Sequence, residues 1–190
     1  MGKPVLNSAL KTAIVDFSDE SKRRKNPVAR QTKISDRTYF LNVDLGGVGG
    51  GIVNLIDNKM KKEIGITNFD GNMLSPGRAV TIRSVRALYT TKGRTLQEAD
   101  WQNGDRLPAE IQASELYFIQ GDNKIIDLPL TDVQGFKQAD HRGLITNAMV
   151  RTQEEFFIQL EFPKTVSVKP NTDATKQFLR LEFRLAEAKK

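Results

Sequence analysis

The stretch Phe156-Phe157-Ile158-Gln159-Leu160-Glu161-Phe162 sets Phe156, Ile158, Leu160 and Phe162 against Phe157, Gln159 and Glu161 at a period of two. Residues 177–185 repeat the pattern, with Leu179, Leu181, Phe183 and Leu185 alternating with Arg180, Glu182 and Arg184. Successive side chains of a strand point to opposite faces. Each stretch therefore predicts a strand with one buried and one wet face, as antiparallel sheets have. Between them, Pro163 and Lys169-Pro170-Asn171-Thr172-Asp173 break the pattern and leave room for a short strand at Val166 and Val168.

Working outward, residues 115–120 and 124–130 flank Gly121-Asp122-Asn123, which reads as a three-residue hairpin loop. Residues 78–91 form a long β-rich run carrying Val80, Ile82, Val85 and Tyr89. Its apolar phase changes near Ser84, which predicts a bulge or burial on both faces. Residues 39–45, 52–56 and 63–67 bring the expected strands to about eight. The segments 92–110 and 131–154 are long for plain hairpins; they suit crossings between sheets, with a small helix near Ala148. No strand–helix alternation is visible, so a doubly wound sheet is not expected. The economical architecture is mainly β: an antiparallel β-sandwich, in the form of a single jelly roll.

A chain of 190 residues with 38% hydrophobic and 27% charged side chains is one domain, or one domain with an extension. It has no cysteine, which excludes a disulfide framework, thiolate metal sites and a cysteine nucleophile. The longest apolar run is the four residues Leu116-Tyr117-Phe118-Ile119, far below the ~20 of a membrane-spanning helix. The first 20 residues lack the apolar core of a signal peptide.

Charge is concentrated at one end. Of a net +6, residues 1–40 hold nine bases and four acids, or +5. Within them, residues 22–33 carry Lys22, Arg23, Arg24, Lys25, Arg30 and Lys33 and no acid. These six are the candidate nucleic-acid-binding residues, each able to neutralise about one phosphate. The competing reading of such a run is a solvated basic linker. No aromatic interrupts it, so contact would be with phosphates and not by base stacking.

Ahead of the run, Val5, Leu6, Ala9, Leu10, Ala13, Ile14 and Phe17 recur at helical spacing, with Pro4 placed for a first turn. A helix of about 13 residues is not stable in isolation. It has to dock, and its polar face offers only Lys3 and Lys11 to a membrane surface. Docking on protein is the better reading, so Val5, Leu6, Leu10, Ile14 and Phe17 are candidate subunit-interface residues.

Motifs of chemistry are missing. Gly46-Gly47-Val48-Gly49-Gly50-Gly51 is followed by Ile52 and Val53 where a phosphate loop needs Gly-Lys-Ser/Thr, so it reads as a flexible or close-packed turn. His141, the single histidine, sits in Ala-Asp-His-Arg-Gly and reads as a surface-loop residue. Asp70-Gly71 and Asn103-Gly104 are turn signals, and Trp101 beside the latter reads as part of a satellite core, with an interface anchor as the competing reading. No calcium loop or nucleophile elbow occurs. The expectation is a non-enzyme with no cofactor and no metal.

An arm at 1–37, a charge-balanced β-body at 38–186 and a tail at 187–190 together resemble viral and bacteriophage jelly-roll structural proteins. The resemblance is of architecture and involves no diagnostic motif. It implies a capsid or capsid-associated subunit that forms homo-oligomers, meets other virion proteins, and turns its arm to genomic nucleic acid. It also implies assembly in the host cytoplasm and residence in the virion, without a membrane span. Two other classes stay open: a nucleic-acid-binding β-domain using residues 22–33, and a ligand-binding or catalytic sandwich.

Overall fold

A computed structural model describes residues 33–102, 104–137 and 140–189. Its strands are β1 (Lys33–Asp44), β2 (Gly51–Asn54), β3 (Arg78–Thr90), β4 (Glu115–Gln120), β5 (Asn123–Pro129), β6 (Arg142–Val150), β7 (Phe156–Phe162) and β8 (Phe178–Lys189). They form two antiparallel four-stranded sheets, ordered β1-β8-β3-β6 and β2-β7-β4-β5, that pack as a sandwich. Each early strand pairs with its mirror image in the chain: β1 with β8, β2 with β7, β3 with β6 and β4 with β5. The β8–β3 and β7–β4 pairings complete each sheet. The chain is thus one long antiparallel ribbon with the β4–β5 hairpin at its tip, folded so that successive strand pairs fall in facing layers.

The period-two pattern explains which faces meet. Phe156, Ile158, Leu160 and Phe162 of β7 and Leu179, Leu181, Phe183 and Leu185 of β8 are all buried in one core. Phe118 of β4 meets Phe183 edge-to-face across the layers, with ring centroids 5.8 Å apart, and stacks on Phe156 at 5.1 Å. Such pairs add about 0.5–1.5 kcal/mol beyond the area they bury. The bulge expected near Ser84 is present: β8 and β3 match Leu185 to Ile82 and Arg184 to Ser84, leaving Arg83 as the extra residue.

Several expectations need correction. Residues 142–150 are strand β6 and contain no helix at Ala148, whose small side chain packs in the core opposite Ile82. Residues 63–67 make a tight turn closed by a Glu63–Thr67 bridge and not a strand. Val166 and Val168 form no strand, although Val168 is buried and its N–H bonds the Val48 carbonyl. The β4–β5 loop holds two residues, since Asn123 already pairs with Gln120; Gly121 supplies the positive φ (57°). β1 begins at Lys33, inside the expected arm, and β8 runs through the expected tail to Lys189. The segment between β3 and β4 holds a 3-10 turn at Leu96–Glu98 and the one-turn helix α1 at Ala109–Gln112.

The glycine-rich turn is close-packed at Gly46 and Gly50 and open at Gly47, Gly49 and Gly51. A Cβ on Gly46 would lie 2.5 Å from the Asn171 side chain, and one on Gly50 2.5 Å from the Pro163 carbonyl oxygen. At Gly50 the neighbour is backbone, which cannot yield, so the position admits only glycine.

Candidate assembly surface

On β8, Arg180, Glu182 and Arg184 face away from the core, as alternation requires. Arg184 is exposed, but the surroundings of Arg180 and Glu182 are not wet. Arg86 stands opposite Glu182 on β3, and both are largely buried. Arg86 Nε donates to Glu182 Oε2 at 3.1 Å, a second guanidinium nitrogen donates to the same oxygen, and a third reaches the Lys137 carbonyl at 2.5 Å. Arg180 Nε donates to Glu182 Oε1 at 2.6 Å, and its guanidinium lies 4.1 Å from the Phe40 ring centroid and 5.9 Å from that of Trp101. Trp101 therefore sits half-buried over this network rather than in a separate core.

His141 also belongs here. Its side chain is 4% exposed, with Nε2 3.4 Å from Glu182 Oε2, which corrects the surface-loop reading. The preceding turn is held by Asp140, whose carboxylate accepts the N–H groups of Phe136 and Lys137; these bonds keep its carboxyl below the usual range. Burial opposes the charge of Glu182, but hydrogen bonds and charges from Arg86 and Arg180 outweigh it and hold its carboxyl low.

A second ionic cluster closes the end of the sandwich from which the chain's first 32 residues depart. Glu187 continues the inward row of β8, with a side chain only 1% exposed. It accepts from Arg37 Nε at 2.6 Å, from Arg78 Nε at 2.6 Å and from the Tyr39 hydroxyl at 3.4 Å. Arg78 also donates to the Tyr39 oxygen at 2.7 Å. Burial, partly offset by Arg78, raises the Tyr39 phenol above its ordinary value.

Of the candidate nucleic-acid-binding residues, Lys33 opens β1, exposed, in a cross-strand row with Lys189 and Arg78. Lys22, Arg23, Arg24, Lys25 and Arg30 lie outside the described residues, as do Val5, Leu6, Leu10, Ile14 and Phe17. Sequence reasoning missed the outer-face ion network because Glu182 meets Arg86 and His141 from 96 and 41 residues away and each looks like an ordinary surface group. It also missed the edge of β6. There, residues 144–147 stand opposite Arg83 alone, Leu144 packs on the core, and Ile145 is 99% exposed.

Between the sheets an apolar gap of about 10 Å³ touches Phe118, Phe156 and Phe183, room for no more than one water. Among the described residues no group of three or more His, Asp or Glu side chains is arranged to hold a metal ion. No helix among them is long and apolar enough to cross a membrane. No protein-family model matches the chain, and no curated protein matches it.

Proposed function

We propose that this chain is a non-enzymatic structural subunit, a capsid or capsid-associated protein of a virion, which self-assembles through its β-body and an N-terminal arm. The observation that carries this reading is the strand order. Eight strands ordered β1-β8-β3-β6 against β2-β7-β4-β5, each paired with its mirror image in the chain, support a single jelly roll, an architecture common in viral shells. The same architecture also serves lectins and ligand-binding domains. The gap between these sheets, about 10 Å³, is far below the about 300–1,000 Å³ of a small-molecule pocket; concavities of that size lie on the surface, one of about 390 Å³ bordered by Asp44, Arg94 and Asn171 and one of about 440 Å³ bordered by Asp36, Arg83 and Arg184.

Two further features support assembly. Strand β6 is a sheet edge with Ile145 projecting from it, and unprotected edges are templates for pairing with another chain. The arm supplies the helical stripe Val5, Leu6, Leu10, Ile14 and Phe17 for a neighbouring subunit. Its bases Lys22, Arg23, Arg24, Lys25, Arg30 and Lys33 neutralise phosphates of the genome, and Lys189, exposed opposite Lys33, extends that basic character onto the body.

Light scattering behind a sizing column, at low and at high salt, tests the proposal. Discrete oligomers or particles are expected, with any co-purifying nucleic acid released at high salt. A monomer of about 21 kDa at both salts overturns it.

A further inference from the structure

Arg184 stands between Thr38 on β1 and Ser84 on β3, in one cross-strand row on the outer face of the β1-β8-β3-β6 sheet. Gly143 continues the row on β6 and adds no side chain to it. Arg184 and Thr38 are exposed, and Ser84 is half-buried. The extra residue of β3, Arg83, emerges beside Ser84 and reaches across β8 to Asp36 on β1 at 3.2 Å. Bulges re-aim a side chain in this way. Asp36, Thr38, Arg83, Ser84 and Arg184 border an open concavity of about 440 Å³.

We propose that this concavity binds a phosphodiester of a nucleic-acid strand, with the Arg83 and Arg184 guanidinium groups holding the phosphate oxygens and the Thr38 and Ser84 hydroxyls donating beside them. Planar guanidinium forks match pairs of phosphate oxygens, and hydroxyls are common further donors to a strand's backbone. Arg83 is poised for such an acceptor. Its Nη1 bonds Asp36, but its Nη2 is buried without a hydrogen-bond partner. A buried donor lacking an acceptor is costly, and phosphate oxygens offered to the whole fork relieve that cost. The competing carboxylate is weakly held: the Asp36 side chain is 81% exposed, and ion pairs so open to water add little. Turning the Arg83 fork from Asp36 into the concavity is therefore cheap.

Two observations favour a strand over a small molecule as the source of the phosphate. The concavity lies open, with Asp36, Thr38 and Arg184 all exposed, whereas small ligands are enclosed over most of their surface. Exposed bases also continue from it. Lys189 lies about 17 Å beyond Arg184 along β8, and Lys33, its partner on β1, lies about 10 Å before Asp36. Lys33 is in turn the last base of the run at residues 22–33. The choice of a strand rests on the phosphate-neutralising arm of the reading above; the anion chemistry stands on the body alone.

Binding of labelled single-stranded and duplex oligonucleotides to the full-length protein is measured across a salt series, and inorganic phosphate is titrated separately by calorimetry. Arg83→Ala with Arg184→Ala is expected to weaken oligonucleotide binding at least about tenfold and to lower the salt slope by about 0.7–0.9, the loss of one phosphate contact. Arg83→Lys with Arg184→Lys keeps the charge and loses the forks, so affinity is expected to fall at an unchanged slope. Asp36→Asn removes the competing carboxylate and is expected to raise affinity severalfold. Circular dichroism checks the fold of each variant; if the alanine pair unfolds, Asp36→Asn carries the test, and unchanged affinity there overturns the site. Oligonucleotide binding that the arginine changes leave unaltered, but that Lys22→Ala, Arg23→Ala, Arg24→Ala and Lys25→Ala together abolish, overturns the site and leaves the arm's role standing. Phosphate binding lost in the alanine pair with oligonucleotide binding unaltered overturns the strand in favour of a small anion. A wild type that binds no oligonucleotide overturns the site and the arm's phosphate role together, while native mass still decides assembly.

Discussion

Arg86 and Glu182 face each other across β3 and β8 on the side of the sheet turned away from the core, and both are nonetheless buried. The pair is enclosed by the chain's own loops: Lys137 offers its carbonyl to Arg86, and His141 approaches Glu182. Removing one partner of such a pair leaves the other charged and desolvated, at a cost of about 3–5 kcal/mol. Glu182→Ala is expected to fall in that range by urea denaturation. Replacing Arg86 and Glu182 together by Met and Leu is expected to cost markedly less, because no unpaired charge remains.

The same carboxylate gives a pH signature. Its native pKa lies below the unfolded glutamate value of about 4.3, so its contribution to stability is complete above that value. The contribution is lost as pH falls through the lowered native pKa. Melting temperatures followed from pH 7 to pH 2 should show the gap between wild type and Glu182→Gln constant down to about pH 5 and closing below it. A gap that widens toward acid would contradict the assignment.

Glu187 and Arg37 form an unequal pair: the carboxylate is 1% exposed and the guanidinium 53%. An ion pair with one solvent-facing partner is worth about 0–1 kcal/mol, so Arg37→Ala is expected to cost under about 1 kcal/mol. Glu187→Ala strands Arg78 beside Tyr39 as well, and is expected to cost several times more. Equal losses from the two variants would show that Arg37 is the main partner.

The described start of β1 sets where the body can be cut. Removal of residues 1–32 leaves every β1–β8 pair intact and is expected to give a folded body with a two-state urea transition. Removal of residues 1–37 takes Arg37 and the pairs from Lys33↔Lys189 to Arg37↔Leu185. That product is expected to be clearly less stable, read as a lower midpoint. Unfolding of the shorter deletion would show that residues 1–32 are part of the core.

Two glycines four residues or fewer from β2 should respond oppositely. On Gly50 a Cβ would lie 2.5–2.6 Å from the carbonyl oxygens of Pro163 and Lys164, so Gly50→Ala is expected to cost about 1–3 kcal/mol. On Gly49 nothing lies within 4 Å of the added atom. Gly49→Ala is expected to be neutral or to stabilise by up to about 1 kcal/mol, through loss of unfolded-state entropy.

Much of the fold was legible because a strand writes its two faces into its own sequence. The alternation in 156–162 and 179–185 determined which side chains point inward, and the phase change at Ser84 located the Arg83 bulge, each from neighbours along the chain. β6 was not legible: residues 144–147 stand opposite one residue of β3, so the period of two breaks where the strand would have to be read. Only the tertiary structure decided which strands are partners, since pairing β1 with β8 joins residues up to 156 positions apart, as at Lys33 and Lys189. It also decided that an outward-facing Glu182 is buried. Alternation says which way a side chain points, but burial depends on what another part of the chain lays over it, and neither Lys137 nor His141 is near Glu182 in sequence.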